Sequence, residues 1–166
     1  QKLTFSGDVE FSAIAPDGNS FAFTRNGRLF VQQAESSEAR EIVLPQNQKA
    51  GFVQFSPDGS SILFRDQWRY YRTGNVFAIP VNGAKPEKVI ENVWSGFGFS
   101  PDGRRVAFIR DIPEESRHQL IIRDLTLKSE RVLSELTGQS RFIFISGPAW
   151  SPDARHIAAA TLKLET

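Results

Sequence analysis

The apolar residues of this chain fall into short alternating runs separated by turn-forming residues, and no run keeps a helical period for a useful length. One phrase recurs four times: "AIAPDGNSFAF", "QFSPDGSSILF", "GFSPDGRRVAF" and "AWSPDARHIAA", with prolines at Pro16, Pro57, Pro101 and Pro152. Successive prolines are 41 (57 − 16), 44 (101 − 57) and 51 (152 − 101) residues apart. Counting five residues on from each proline gives Phe21, Ile62, Val106 and Ile157, and seven on gives Phe23, Phe64, Phe108 and Ala159. Positions two apart share one face of a strand. The residues between them, Ala22, Leu63, Ala107 and Ala158, are apolar too, so the pattern predicts a strand covered on both faces.

A shorter strand is predicted before each turn, carrying Ile14, Phe55, Phe99 and Trp150 two residues upstream of the proline. The turn has a mechanism. Proline presets φ, aspartate bonds backbone downstream of itself, and glycine tolerates positive φ. The fourth copy has Ala154 where the others have glycine, which should strain or remodel that turn.

Downstream lie a third apolar run ("RLFVQ" at 28–32, "NVFAIPV" at 75–81, "QLIIRDL" at 119–125) and a more polar fourth ("REIVL" at 40–44, "EKVI" at 87–90, "ERVL" at 130–133). Each unit thus reads as a four-stranded antiparallel meander whose last strand faces solvent most. Units of this kind at a period of about 40 to 50 residues are what β-propeller blades are made of, so the expected class is all-β. The register divides the chain as one propeller region over 1–166: a flanking strand over 1–6, blades over 7–44, 45–90 and 91–133, and a partial blade over 134–166. With three full blades and partial flanks, beginning at Gln1 and without methionine, it reads as an open arc excised from a larger ring. Its open blade edges invite self-association.

The "FSPDG…VAF" phrase, with its apolar third strand and polar fourth, resembles the WD40-like repeat of TolB and of the propeller domains of prolyl oligopeptidase and dipeptidyl peptidase relatives. The resemblance spans essentially the whole chain and rests on turn and core residues, so it speaks to fold before function. What it implies is a non-catalytic module for protein or peptide interaction or ligand sensing, in the periplasm or otherwise outside the cytoplasm by likeness to TolB. Two alternatives follow from the same resemblance. One is the substrate-gating propeller of a serine peptidase whose catalytic domain lies elsewhere, with a cytoplasmic location. The other is the sensor domain of a bacterial regulator.

Bulk chemistry narrows the field. At 166 residues, 40% hydrophobic and 11% aromatic, the chain can build a real core. Twenty basic against 19 acidic residues leave a net charge of +1, which gives no global pull toward nucleic acid or an anionic membrane. The absence of cysteine excludes disulfides, thiol catalysis and zinc–thiolate sites. No apolar run approaches the roughly 20 residues that span a bilayer, so membrane insertion is not expected.

If blade cores are packing, binding belongs to the loops. The loop "RDQWRYYRTGN" at 65–75 concentrates Arg65, Trp68, Arg69, Tyr70, Tyr71 and Arg72, the residue types of binding hot spots. These six are the candidate partner-binding residues, with a protein or peptide as the expected partner and no nucleic acid. The plainer reading is that the aromatics cover a blade edge while the arginines stay solvated. The loop "RDIPEESRHQ" at 110–119 has Asp111, Glu114, Glu115, Arg117 and His118, without the regular oxygen-ligand spacing of a calcium loop. It reads as a solvated charged loop, with His118 and His156 as surface or edge residues rather than metal ligands.

The four turn aspartates, Asp17, Asp58, Asp102 and Asp153, are explained by turn chemistry without a ligand. "VWSGFGF" at 93–99 places Val93 where a nucleophile elbow needs glycine, and neither a Ser-His-Asp arrangement nor a phosphate-cradling glycine loop is readable. No catalytic residue, metal or cofactor is expected.

Overall fold

The structure, a computed structural model, describes residues 8–46, 48–66, 73–143 and 147–163, and among them every regular element longer than one 3-10 turn is a strand. The first sheet orders β1 (Phe11–Ile14), β2 (Ser20–Arg25), β3 (Arg28–Gln33) and β4 (Ala39–Ile42) side by side. The second repeats the arrangement with β5 (Val53–Phe55), β6 (Ser61–Arg65), β7 (Gly74–Pro80) and β8 (Glu87–Val93). The third does so with β9 (Phe97–Phe99), β10 (Arg105–Ile112), β11 (Arg117–Asp124) and β12 (Glu130–Thr137). Two short two-stranded ladders follow, β13 (Ser140–Phe142) with β16 (Thr161–Lys163), and between them in sequence β14 (Ala149–Trp150) with β15 (Ile157–Ala158).

The packing forms two compact units, one built on the first two sheets and the other on the third sheet and the ladders after it.

In the first unit the alternation along each strand decides which side chains meet. Ala22 of β2, Leu29 and Val31 of β3 and Ile42 of β4 share one face, and they pack into a cluster that includes Val53, Phe55, Ile62, Phe64 and Ile79. The opposite face of the first sheet gathers Phe21, Phe23 and Phe30, whose rings stack at 5.8 and 5.2 Å. The guanidinium groups of Arg25 and Arg28 lie over the Phe30 ring at 4.7 and 5.5 Å, so charged heads stay wet while the ring is covered. Each buried phenylalanine contributes roughly 1.5–3 kcal/mol of transfer free energy. The middle strand is thus covered on both faces, as its apolar run demands.

In the second unit β10 is the interior strand, with Val106, Ala107, Phe108 and Ile109 all buried. Its partner β11 buries Leu120, Ile121 and Ile122, while β12 at the edge is exposed almost throughout. The ladder between β11 and β12 steps from Ile121↔Val132 to Leu120↔Ser134, leaving Leu133 as an extra residue. A bulge flanked by Glu130, Arg131 and Glu135 is a device that blunts an edge strand.

Within the same unit two backbones approach closely. A Cβ at Gly98 of β9 would stand 2.1 Å from the Pro148 carbonyl oxygen, and one at Gly147 would stand 2.6 Å from the Phe97 nitrogen. Trp150 closes this contact by donating its indole N–H to the Gly98 carbonyl at 3.0 Å. Only glycine leaves room for such an approach.

Three expectations change. The stretch 110–119 is not a long loop: β10 and β11 run on as a paired ladder through Ile112↔Arg117, leaving only the 3-10 turn Pro113–Glu115 and Ser116 between them. Ile14 does not pack as Phe55 and Phe99 do, because β1 turns Phe11 and Ala13 inward and leaves Ile14 67% exposed. In the last copy Ala158 is exposed, since among the described residues that hairpin has no third or fourth strand to cover it.

Candidate functional site

The recurring polar groups are the place to look for chemistry, and the structure shows what they do. In three copies a serine precedes the proline, and its hydroxyl donates to the aspartate two residues on: Ser56 to Asp58 at 2.5 Å, Ser100 to Asp102 at 2.6 Å and Ser151 to Asp153 at 2.6 Å. The same serine oxygen accepts the backbone N–H five residues downstream, from Ser61, Arg105 and His156. The aspartate in turn accepts the N–H two residues on, from Ser60, Arg104 and Arg155. One Ser–Asp pair therefore satisfies the inner donors of the hairpin loop, closing the first strand against the second in a fixed register. The first copy has Ala15 in place of serine and keeps only the aspartate half, Asp17 accepting the Asn19 N–H at 3.0 Å.

These bonds favour the ionised carboxylates. The carboxyls of Asp58, Asp102 and Asp153 are all held below the usual range, first by the serine hydroxyl and then by donors from the downstream turn residue. A carboxyl lowered on folding contributes stability that is present above its unfolded value near 3.9 and is lost as pH falls through the folded value. The chain should accordingly lose stability below about pH 4. Ser100→Ala should raise the titration midpoint of Asp102 without moving that of Asp58, read by carboxyl-carbon NMR. Equal midpoints in both chains would show that the hydroxyl is not the cause.

The fourth turn keeps its shape. Ala154 adopts φ 57°, where Gly18, Gly59 and Gly103 have φ 70–73°, and its N–H still reaches the Ser151 carbonyl at 2.9 Å. The turn is strained rather than remodelled. A left-handed alanine costs roughly 1–2 kcal/mol, part of which glycine's looser unfolded state gives back. Ala154→Gly should therefore stabilise the chain by about 0.5–1 kcal/mol in urea unfolding.

Of the candidate binding residues, Arg65 ends β6 and is buried at 2% exposure, which removes it from the exposed surface. Trp68, Arg69, Tyr70, Tyr71 and Arg72 lie outside the described residues. The 110–119 stretch holds a second departure. His118 is not a surface residue: it is 4% exposed, directly across the ladder from Asp111, with its Nδ1 3.5 Å from the carboxylate and its ring 5.0 Å from Trp94. Burial pushes the imidazole below its ordinary value, Asp111 opposes that and Arg141 adds to it. Around them Arg117 pairs with Glu115 and with Glu135, which also accepts from Gln119 at 2.8 Å. These carboxylates are engaged in pairs across the ladders or, for Glu115, across the turn, and no group of three or more His, Asp or Glu among the described residues is arranged to hold a metal.

Ser95, the serine beside the glycines of "VWSGFGF", is fully buried and accepts the Ile109 N–H at 3.0 Å while donating to the Gly96 carbonyl. It satisfies backbone in the middle of β10 and is not placed to attack a substrate.

Two of these features have a signal in the sequence. The spacing of His118, Leu120 and Ile122 extends the alternation of β11 down to the histidine, and the serine recurs in three of four turns.

No protein-family model matches the chain. Among curated proteins, Tricorn protease homolog 1 of Streptomyces coelicolor is 29% identical over 108 residues, which cover 62% of this chain and 10% of that protein. Among solved structures, the putative TolB from Agrobacterium tumefaciens superposes with a TM-score of 0.76 at 20% identity, over 96% of this chain and 56% of that one. TolB from Acinetobacter baumannii does so with a TM-score of 0.73 at 17% identity, over 95% of this chain and 39% of that one. The chain spans about half the first TolB chain and a tenth of the curated relative. Its fold is that of the β-propeller, built of four-stranded antiparallel blades, with TolB among its structural neighbours.

Proposed function

We propose that the chain is a non-catalytic β-propeller module that binds a protein or peptide segment through the loops joining second to third strands, above all the 65–75 loop. The observation that carries this reading is how the repeated polar groups are used. Three Ser–Asp pairs close their own hairpins, and Ser95 is buried in the β8–β9 connection with its hydroxyl bonded to backbone. That leaves recognition to variable loops on a rigid scaffold, where Arg, Trp and Tyr offer large contact area with polar handles. Likeness to TolB supports a periplasmic or other extracytoplasmic location.

The test pairs binding with stability. Peptides selected from a random library on the intact chain should lose affinity about tenfold or more for a Trp68→Ala, Tyr70→Ala double variant that melts at the parent temperature. Reduced stability with unchanged peptide affinity would sink the proposal.

A second reading has its own support, because the matched curated protein is a Tricorn protease homolog. On that reading the propeller admits substrate to a peptidase centre carried elsewhere in a longer chain. A hydrolase domain in the same reading frame favours it, and further Ser-Pro-Asp-Gly repeats alone favour the binding module.

A further inference from the structure

The chain contains two Asn-Gly pairs, and the fold treats them differently. Asn26-Gly27 is the two-residue connection between β2 and β3, with both residues at positive φ (53° and 73°) and Arg25 paired to Arg28 across it. This is the tight hairpin turn that Asn-Gly favours. Gly27 is buried, its N–H donates to the Glu10 carboxylate at 3.3 Å, its carbonyl accepts from Ala50 at 2.8 Å, and the Lys49 side chain lies against its Cα. Opening this turn means breaking ladder bonds on both sides.

Asn82-Gly83 follows β7 and precedes β8 in an exposed stretch, with Ala84, Lys85 and Pro86 in no strand. Its restraints are local: the Gly83 N–H donates to the Pro80 carbonyl at 2.8 Å, and the Asn82 side-chain oxygen accepts from Ala84 at 3.3 Å. Such a turn opens at little cost compared with the β2–β3 connection, whose Gly27 is tied to Glu10 and Ala50 from other segments. Arg40 stands beside it, donating to the Val81 carbonyl at 2.6 Å, with another guanidinium nitrogen 3.5 Å from where a Cβ on Gly83 would sit.

We infer that Asn82 is a site of spontaneous covalent modification, conversion to aspartate and isoaspartate, and that the fold protects Asn26 from the same reaction. The Gly83 amide nitrogen, freed of its turn bond, attacks the Asn82 side-chain carbonyl carbon. A nitrogen–carbon bond forms, the bond to the side-chain nitrogen breaks, and ammonia leaves with the proton that Gly83 gives up. Solvent water then opens the five-membered imide at either carbonyl. No oxidant or reductant is involved. Glycine is the successor that admits this attack most easily, having no Cβ to obstruct it. The product carboxylate forms in the turn whose Val81 carbonyl Arg40 holds, and the formal net charge falls from +1 to zero (+1 − 1). The isoaspartate form also lengthens the backbone of the β7–β8 turn by one methylene.

The experiment follows the two sites in one tube. The intact chain is held at mildly alkaline pH for days, and each Asn-Gly peptide is quantified by mass mapping and by isoaspartate-specific methylation. In the folded chain Asn82 should convert about tenfold faster than Asn26, the difference in ease of local opening. In denaturing urea the two should convert at equal rates. Equal rates in the folded chain, faster conversion at Asn26, or an unmodified Asn82 after the urea sample has converted would each overturn the inference.

Discussion

Gly98→Ala is expected to destabilise the second unit by about 3 kcal/mol, at the upper end of what overpacking costs. The reason is the partner atom. The added methyl would stand 2.1 Å from a main-chain carbonyl oxygen, that of Pro148, and backbone cannot rotate away as a side chain can. Moving Pro148 would also pull Trp150 off the Gly98 carbonyl, removing a 3.0 Å hydrogen bond and the indole on which the Arg105 guanidinium rests at 4.9 Å. The urea midpoint of the Gly98→Ala chain, followed by tryptophan fluorescence, measures the effect. A shift below about 1 kcal/mol would mean that the two segments do not meet as described. Gly138→Ala is the control, since its Cβ would meet nothing within 4 Å and the cost there comes only from a φ of +67°.

Phe64→Ala should cost the first unit more, about 4 kcal/mol. Phe64 is fully buried in the cluster that draws on both of the first two sheets, and its ring stacks on Phe77 at 5.7 Å. Truncation removes the transfer free energy of the ring and leaves a cavity that flanking strands cannot close without losing their ladders. Phe64→Leu should recover most of the loss, as volume-preserving swaps do. Ile14→Ala offers the contrast: an apolar strand residue of the same repeated phrase, but 67% exposed, so its removal should change stability by less than about 0.5 kcal/mol. Comparable losses at Phe64 and Ile14 would contradict the assignment of inner and outer positions.

The difference between those two residues shows where sequence reading works. The second strand of each blade was legible because three apolar residues in a row, repeated after one turn phrase, admit no exposed face. The orientation of Ile14 is not legible in the sequence, because the same alternation fits either orientation of a strand whose cover comes from elsewhere. His118 was missed because a run dense in charge reads as solvated, yet β10 and β11 are long enough to pair Asp111 with His118 and fold the imidazole under Trp94. The serine of the turn was visible as a letter and not as a role, since a hydroxyl that both donates to a carboxylate and accepts an amide is defined only by three-dimensional closure. Of the six candidate binding residues, only Arg65 lies among the described residues, and its burial follows from ending an interior strand.

Within the three complete sheets, each strand is hydrogen-bonded only to the strand before and after it in sequence. Contacts of that kind have short sequence separation, which places each blade at the fast-folding end of β architecture. The entropy of closing loops is then spread over small steps rather than concentrated in one long excursion of the chain. In three of the four turns a serine and an aspartate can lock their hairpin before any third strand arrives. A nascent chain can in this way commit one blade at a time, with little need to wait for distant segments to find each other.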